Sequence, residues 1–139
     1  MKRIVFLLLF AVTFPKVCVS QNTFEKMIDT LGVSYFSCVK QTYDGGFIAC
    51  GGNSSISSSN LVIIKFDSYG TIDWARQYFA NGLDGGTYLE QTIDSGYIVS
   101  SVYDAASGND KCWLLRLNQV GDTLWTKVAV AGANGTFLS

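Results

Sequence analysis

The stretch at 44–52, DGGFIACGG, is the first place in this chain where residue type and spacing suggest chemistry. Glycines bunched behind an acid could form a loop whose backbone amides cradle a phosphate. That chemistry needs a Lys-Ser/Thr pair after the glycines and a helix for the loop to open onto. The sequence offers neither, so Asp44, Gly45 and Gly46 read as a hairpin turn. Two pairs of carboxylates come next, Asp67 with Asp73 and Glu90 with Asp94. Paired acids could serve glycoside hydrolysis, one as acid and the other as base or nucleophile. Here they stand beside turn signals, where aspartate caps its own backbone. The chain has no histidine. Ser-His-Asp and Cys-His catalysis are therefore excluded, and the commonest transition-metal ligand is missing. The expectation is a non-enzymatic protein with no catalytic residue, no cofactor and no metal.

The remaining chemical handles point the same way. Cys38, Cys50 and Cys112 lack CxxC spacing, so a structural zinc site is not expected. With Cys18 assigned to a leader, their number is odd, and at least one is free or pairs outside the chain. Burial as small apolar residues is the favoured reading, with a Cys38–Cys50 bridge left open because the two flank one hairpin. The segments DSYG and NQVGD lack the alternating acids and distant glutamate of an EF-hand. Asn53-Ser54-Ser55 and Asn134-Gly135-Thr136 fit the N-glycosylation pattern, a common chance match. Trp113, Tyr43, Tyr69, Tyr103 and Phe79 are expected to be partly exposed, and aromatic platforms bind sugars. The competing reading for most aromatics is core packing.

The elements that must position these residues follow from a repeat. QTYDGGFI at 41–48 lies over QTIDSGYI at 91–98, an offset of 50 residues. LVIIKFDSYGTIDWAR at 61–76 lies over CWLLRLNQVGDTLWTK at 112–127, an offset of 51. Gly70 then matches Gly121, and Trp74 matches Trp125. The acids do not keep step: Asp67 becomes Asn118 and Asp73 becomes Leu124. The inserted residue falls between NSSISSSN and DAASGND, polar loops that tolerate it.

Each unit reads as four short strands. In the first they are YFSCVKQT, GFIACGG, NLVIIKFD and TIDWARQYF; in the second, GTYLEQT, GYIVSSV, KCWLLRLN and DTLWTKVAV. Asp-Gly and Asp-Ser-Gly between apolar runs are hairpin signals, because glycine accepts positive φ without a Cβ clash. The third strand is apolar at nearly every position, so both of its faces should be covered. Trp74 should lie on the buried side of the fourth. No segment between 21 and 139 sustains a helical period.

A four-stranded antiparallel unit of about 50 residues is a blade of a β-propeller. The order QTxDGG(F/Y)I, then LxIKxDxxGxxxW, resembles the tandem propeller repeats of large secreted bacterial proteins. Asp44, Gly45, Gly46, Asp94, Gly96, Gly70, Gly121, Trp74 and Trp125 carry that signature. The resemblance covers nearly all of 23–139 and implies an all-β fold of antiparallel propeller-type blades. In such proteins other modules and a C-terminal sorting domain for type IX secretion typically follow the array. DSYGTIDW also resembles the Asp-box of sialidase-type propellers, though its spacings are each one residue too long, and an Asp-box is a hairpin element rather than a catalytic site.

The expected organisation is a signal peptide at 1–20 and a propeller-repeat region at 21–139. The region comprises an orphan strand at 23–30, blades at 35–79 and 87–130, and the start of a third unit at 131–139. The leader shows a basic MKR, an apolar run of about 11 residues and small residues before Gln21. That run is shorter than the about 20 residues of a membrane-spanning helix. Removing Lys2, Arg3 and Lys16 with it makes the −1 of the whole chain three units more negative. Such a chain lacks the basic footprint of a nucleic-acid or anionic-membrane binder. A secreted or cell-surface binding or scaffolding role follows, with a glycan or a protein as partner. The alternative is an N-terminal fragment of a larger secreted carbohydrate-active or peptidase-associated protein. Two blades alone would expose apolar faces, so a homo-oligomer or missing C-terminal blades are expected.

Overall fold

The structure, a computed structural model, describes residues 25, 27–54, 59–79, 85–103 and 111–130. The expected signal peptide and the expected third unit lie outside these residues, as does the side chain of Tyr103. The described chain is all-β. Eight strands run as β1 (Val33–Gln41), β2 (Phe47–Ser54), β3 (Ser59–Phe66), β4 (Ile72–Tyr78), β5 (Gly85–Gln91), β6 (Tyr97–Tyr103), β7 (Lys111–Leu117) and β8 (Thr123–Val130). They form two antiparallel sheets in sequence order, β1-β2-β3-β4 and β5-β6-β7-β8.

The two sheets share their turns and their irregularities. Between β1 and β2, the Thr42 amide donates to the Gly46 carbonyl and the Gly45 amide to the Thr42 carbonyl, both at 2.9 Å. Between β5 and β6, Thr92, Gly96 and Ser95 make the same two bonds at 2.9 and 2.8 Å. Gly45 has φ 81° and Ser95 φ 64°, so the second turn holds a side chain in the left-handed region. Gly70 and Gly121 take φ 78° and 83° in the turns that follow β3 and β7. Register shifts recur at Phe36/Cys38 and Gly86/Tyr88, and again at Lys65/Phe66 and Arg116/Leu117.

Period-two alternation then decides which faces meet. Ile48, Cys50, Leu61, Ile63 and Tyr78 of the first sheet form one buried cluster with Leu89, Tyr97, Val99, Trp113, Leu115 and Leu117 of the second. Burying each such aliphatic side chain contributes about 1.5–3 kcal/mol. Ala49, Val62, Ile64 and Phe66 form a second cluster on the far face of the first sheet, packed by Ile28, Val33, Phe47, Ile72 and Ala75. This is why Leu61, Val62, Ile63 and Ile64 are all fully buried: both faces of β3 are covered.

Two expectations differ from the structure. Trp113 is 6% exposed rather than partly open, because it alternates with Leu115 and Leu117 on the face that meets the first sheet. The orphan strand is not formed at residues 25 and 27–30. A fourth strand needs the third strand of its own unit as a ladder partner, and no described residue supplies one; Ile28 instead packs on the outer cluster. No helix among the described residues is long and apolar enough to cross a membrane.

Candidate functional site

The site begins with a lysine inside an apolar strand. Lys65 is 3% exposed, and a buried ammonium is costly unless its donors are all used. Its Nζ donates to Asp44 Oδ2 at 2.8 Å, to Asp73 Oδ2 at 3.3 Å and to the Phe66 carbonyl at 2.9 Å. That accounts for all three N–H groups of the ammonium. Asp44 comes from the β1–β2 turn and Asp73 from β4, so one cation ties a hairpin to the far strand of its sheet. The Lys65 ammonium holds the Asp44 carboxyl down at about 2, helped by the Thr42 hydroxyl at 2.5 Å and the Gly46 amide at 3.0 Å.

The second sheet repeats half of this arrangement. Arg116 stands where the first sheet has Lys65, and its Nη2 reaches both Asp94 oxygens at 2.6 and 2.5 Å. Asp94 is held below the usual carboxylate range by the Thr92 hydroxyl first, then by Arg116 and the Gly96 amide. The counterpart of Asp73 is Leu124, 57% exposed. Gly46 and Gly96 are glycines for a steric reason. A Cβ at Gly46 would run into the Phe66 carbonyl and the Lys65 ammonium; at Gly96 it would meet Arg116 and the Leu117 carbonyl.

Beside Lys65 a pocket of about 330 Å³ opens between the two sheets at their hairpin end. Tyr43, Asp44, Asp73 and Trp74 line it from the first sheet, and Gln91, Tyr97 and Gln119 from the second. The Tyr43 ring is 71% exposed at its mouth. The Tyr43 amide donates to Gln91 Oε1 at 2.8 Å, which fixes the mouth to the second sheet. Trp74 meets Tyr97 edge-on, with ring centroids 6.0 Å apart. Tyr97 is 1% exposed, yet its hydroxyl has no hydrogen-bond partner among the described residues. Burial first, then the carboxylates of Asp44 and Asp73, push that phenol up to about 12. Asp73 Oδ1 likewise lacks a partner among the described residues, its Oδ2 being the atom that pairs with Lys65. Asp73 is exposed and its free oxygen meets solvent, but buried polar groups are ordinarily satisfied, so the open Tyr97 hydroxyl marks the pocket as a place for a ligand.

Of the signature residues, the structure brings Asp44 and Trp74 into this pocket. Gly45 and Gly46 shape the turn that presents Asp44, and the turn with Gly121 lies against Trp74 and Arg76. Gly70 shapes the β3–β4 turn. Asp94 and Gly96 lie in the β5–β6 turn, where Asp94 holds Arg116 rather than a pocket; Trp125 is 42% exposed on the outer face of the second sheet. The carboxylate pairs do not act as pairs. Asp67 Oδ1 accepts the Tyr69 and Thr71 amides, both at 2.8 Å, as a turn cap, and Asn118 does the same for Val120 and Asp122. Glu90 takes Lys40 at 3.2 Å and the Tyr88 hydroxyl at 2.9 Å. Asp44, Glu90 and Asp94 are all held low, whereas a general acid for glycoside cleavage needs its pKa raised.

Reading the sequence missed the roles of Lys65, Tyr97, Gln91 and Gln119. The signal for Lys65 was a lone cation in the run LVIIKF, which on a doubly covered strand demands partners. Tyr69 and Phe79 are exposed at 87% and 69% but lie outside the pocket. Cys38 and Cys50 face each other across β1 and β2, and both carry free thiols, as does Cys112. Burial pushes the Cys50 thiol up to about 12. Among the described residues no group of three or more Cys, Asp or Glu is placed to share a metal ion. In comparison with known proteins, the chain matches no family model and no curated protein.

Proposed function

We propose that this chain is a secreted, non-enzymatic module of propeller-type blades that binds a hydroxyl-rich ligand, a pyranose sugar of a surface glycan, in the pocket between its two sheets. The observation that carries this is the unfilled hydrogen-bonding group there, the buried Tyr97 hydroxyl, beside the exposed carboxylate of Asp73. Carboxylates and a phenol ask for several hydroxyl donors at short range. The exposed Tyr43 ring supplies the flat apolar surface that the C–H face of a sugar ring needs. The Lys65 ammonium has no free donor for a phosphate or carboxylate ligand, and two acids beside it disfavour an anion. Binding without turnover fits an Asp44 carboxylate that Lys65 holds ionised.

A glycan array probed with the purified chain, followed by titration of the best binder, tests this. Tyr43→Ala should weaken binding about tenfold, the loss of about 1.4 kcal/mol of stacking, with little change in thermal stability. Tyr97→Phe should weaken it as well. Failure to bind any glycan, or binding that neither substitution affects, defeats the proposal.

A further inference from the structure

Two thiols stand opposite each other in the first sheet. Cys38 on β1 and Cys50 on β2 are direct partners across the ladder. Directly opposed residues of an antiparallel pair have Cα atoms about 4.5–5.5 Å apart. A disulfide bridges Cα atoms over about 4.4–6.8 Å, so the backbone needs no large movement to admit one. Both side chains also lie on one face. Cys50 belongs to the cluster between the sheets, and Cys38 packs against that same cluster. The Cys50 thiol is hydrogen-bonded to the Cys38 sulfur, and the Cys38 thiol donates to the Leu89 carbonyl of β5 at 4.0 Å. Cys38 is half-buried, whereas Cys50 is fully buried. Cys112 has no such neighbour in its ladder, where it stands between Val102 and Ala129.

We infer that Cys38 and Cys50 are a cross-strand redox pair, which a small disulfide of the glutathione type closes into a bridge on the inner face of the first sheet. The reaction takes two thiol–disulfide exchanges. Cys38, the more open of the two, attacks one sulfur of the small disulfide as a thiolate. The S–S bond breaks, and the expelled thiolate takes up a proton. Cys50 then attacks the Cys38 sulfur of the mixed disulfide and expels the second small thiol, which takes the Cys50 proton. Two electrons and two protons pass from the pair to the small disulfide, which leaves as two thiols. Cys50 needs no access to solvent for its step, because the sulfur it attacks is already beside it. Burial holds Cys50 protonated, so this second exchange is the slow one. The bridge encloses residues 39–49 and so staples the hairpin that presents Asp44. It is independent of the ligand, since neither cysteine lines the pocket between the sheets.

Peptide mapping of the oxidised chain tests this. The reduced, folded chain is incubated with glutathione disulfide, quenched in acid, alkylated with N-ethylmaleimide in urea and digested with trypsin. Cleavage after Lys26, Lys40 and Lys65 puts the two cysteines on separate peptides, 27–40 and 41–65. Mass spectrometry should find these two peptides joined, and dithiothreitol should separate them. Cys50→Ala should stop the reaction at the mixed disulfide of Cys38 with glutathione. Cys38→Ala should leave Cys50 free of glutathione, because the small disulfide cannot reach it. Recovery of the two wild-type peptides unjoined overturns the inference, whether Cys38 is alkylated or held as its mixed disulfide. Peptides that join only when the oxidation is run in urea overturn it too, since the folded ladder then keeps the sulfurs apart. Should either variant fail to fold, the wild-type map decides alone.

Discussion

Asp44 and Asp94 hold equivalent turns with different cations, and the turns differ at one residue that makes a clean comparison. Gly45 and Ser95 both take positive φ, but only Ser95 has a Cβ to crowd its own backbone. Ser95→Gly should therefore raise stability by about 1 kcal/mol, seen as a higher melting temperature. Gly45→Ala should lower it by a similar amount, purely from backbone strain, since a Cβ there meets nothing within 4 Å. The same turns set the response to acid. The folded Asp44 carboxyl lies at about 2, below its unfolded value, so the stability it contributes is present above the unfolded value and lost as pH falls through the folded one. Asp94 shifts in the same direction. Urea midpoints should fall between about pH 4 and pH 2, and Asp44→Asn should flatten that fall. Asp44 is 60% exposed on its side chain, so solvent screening keeps the effect modest. A midpoint that does not change across this range would contradict the assignment of Asp44 to Lys65.

At the scale of strands, the alternation of apolar residues and the Asp-Gly and Gly signals located all eight elements, because both are local properties of a hairpin. The β3 run LVIIKF was legible as doubly covered for the same reason, and the structure covers both faces. The orphan strand was not legible, since its expected identity came from alignment alone while a strand exists only with a ladder partner. The site was half legible. Asp44 announced a turn and Trp74 a buried aromatic, yet the pocket exists because Gln91 and Tyr97 of the second sheet come to lie against them. No local pattern encodes that approach. The join is held by contacts that can be tested singly. Tyr78 on β4 donates its hydroxyl to the Gly121 carbonyl at 2.6 Å, and Arg76 reaches the Val120 carbonyl at 3.0 Å from the same strand. Tyr78→Phe removes a buried hydrogen bond and leaves a buried carbonyl unmet, and should cost about 1 kcal/mol in denaturant unfolding. Cys50 on β2 is buried with its thiol pushed up to about 12, so alkylation at mildly alkaline pH should spare it in the folded chain and label it once urea is added.

At the scale of the whole molecule, the two sheets are one stability unit. The cluster that fills the first sheet's inner face is completed by residues of the second, and neither inner face is covered without the other. Two sheets of equal design could still unfold one after the other if each carried its own core. Among the described residues only the first sheet has a further apolar cluster, and that one lies on its outer face. Loss of the shared cluster therefore removes the main apolar burial of β5 to β8. Leu115 sits fully buried in that cluster, on β7. Leu115→Ala should destabilise by about 2–5 kcal/mol through lost transfer energy and the cavity left behind. Native-state hydrogen exchange then tells whether the loss is shared. The slowest amides of β2 and β3 should lose protection by the same amount as those of β6 and β7, because all of them exchange through one global opening. Protection that falls only in β6 and β7 would mean that the first sheet stands alone, its outer cluster sufficing to hold β1 to β4 together.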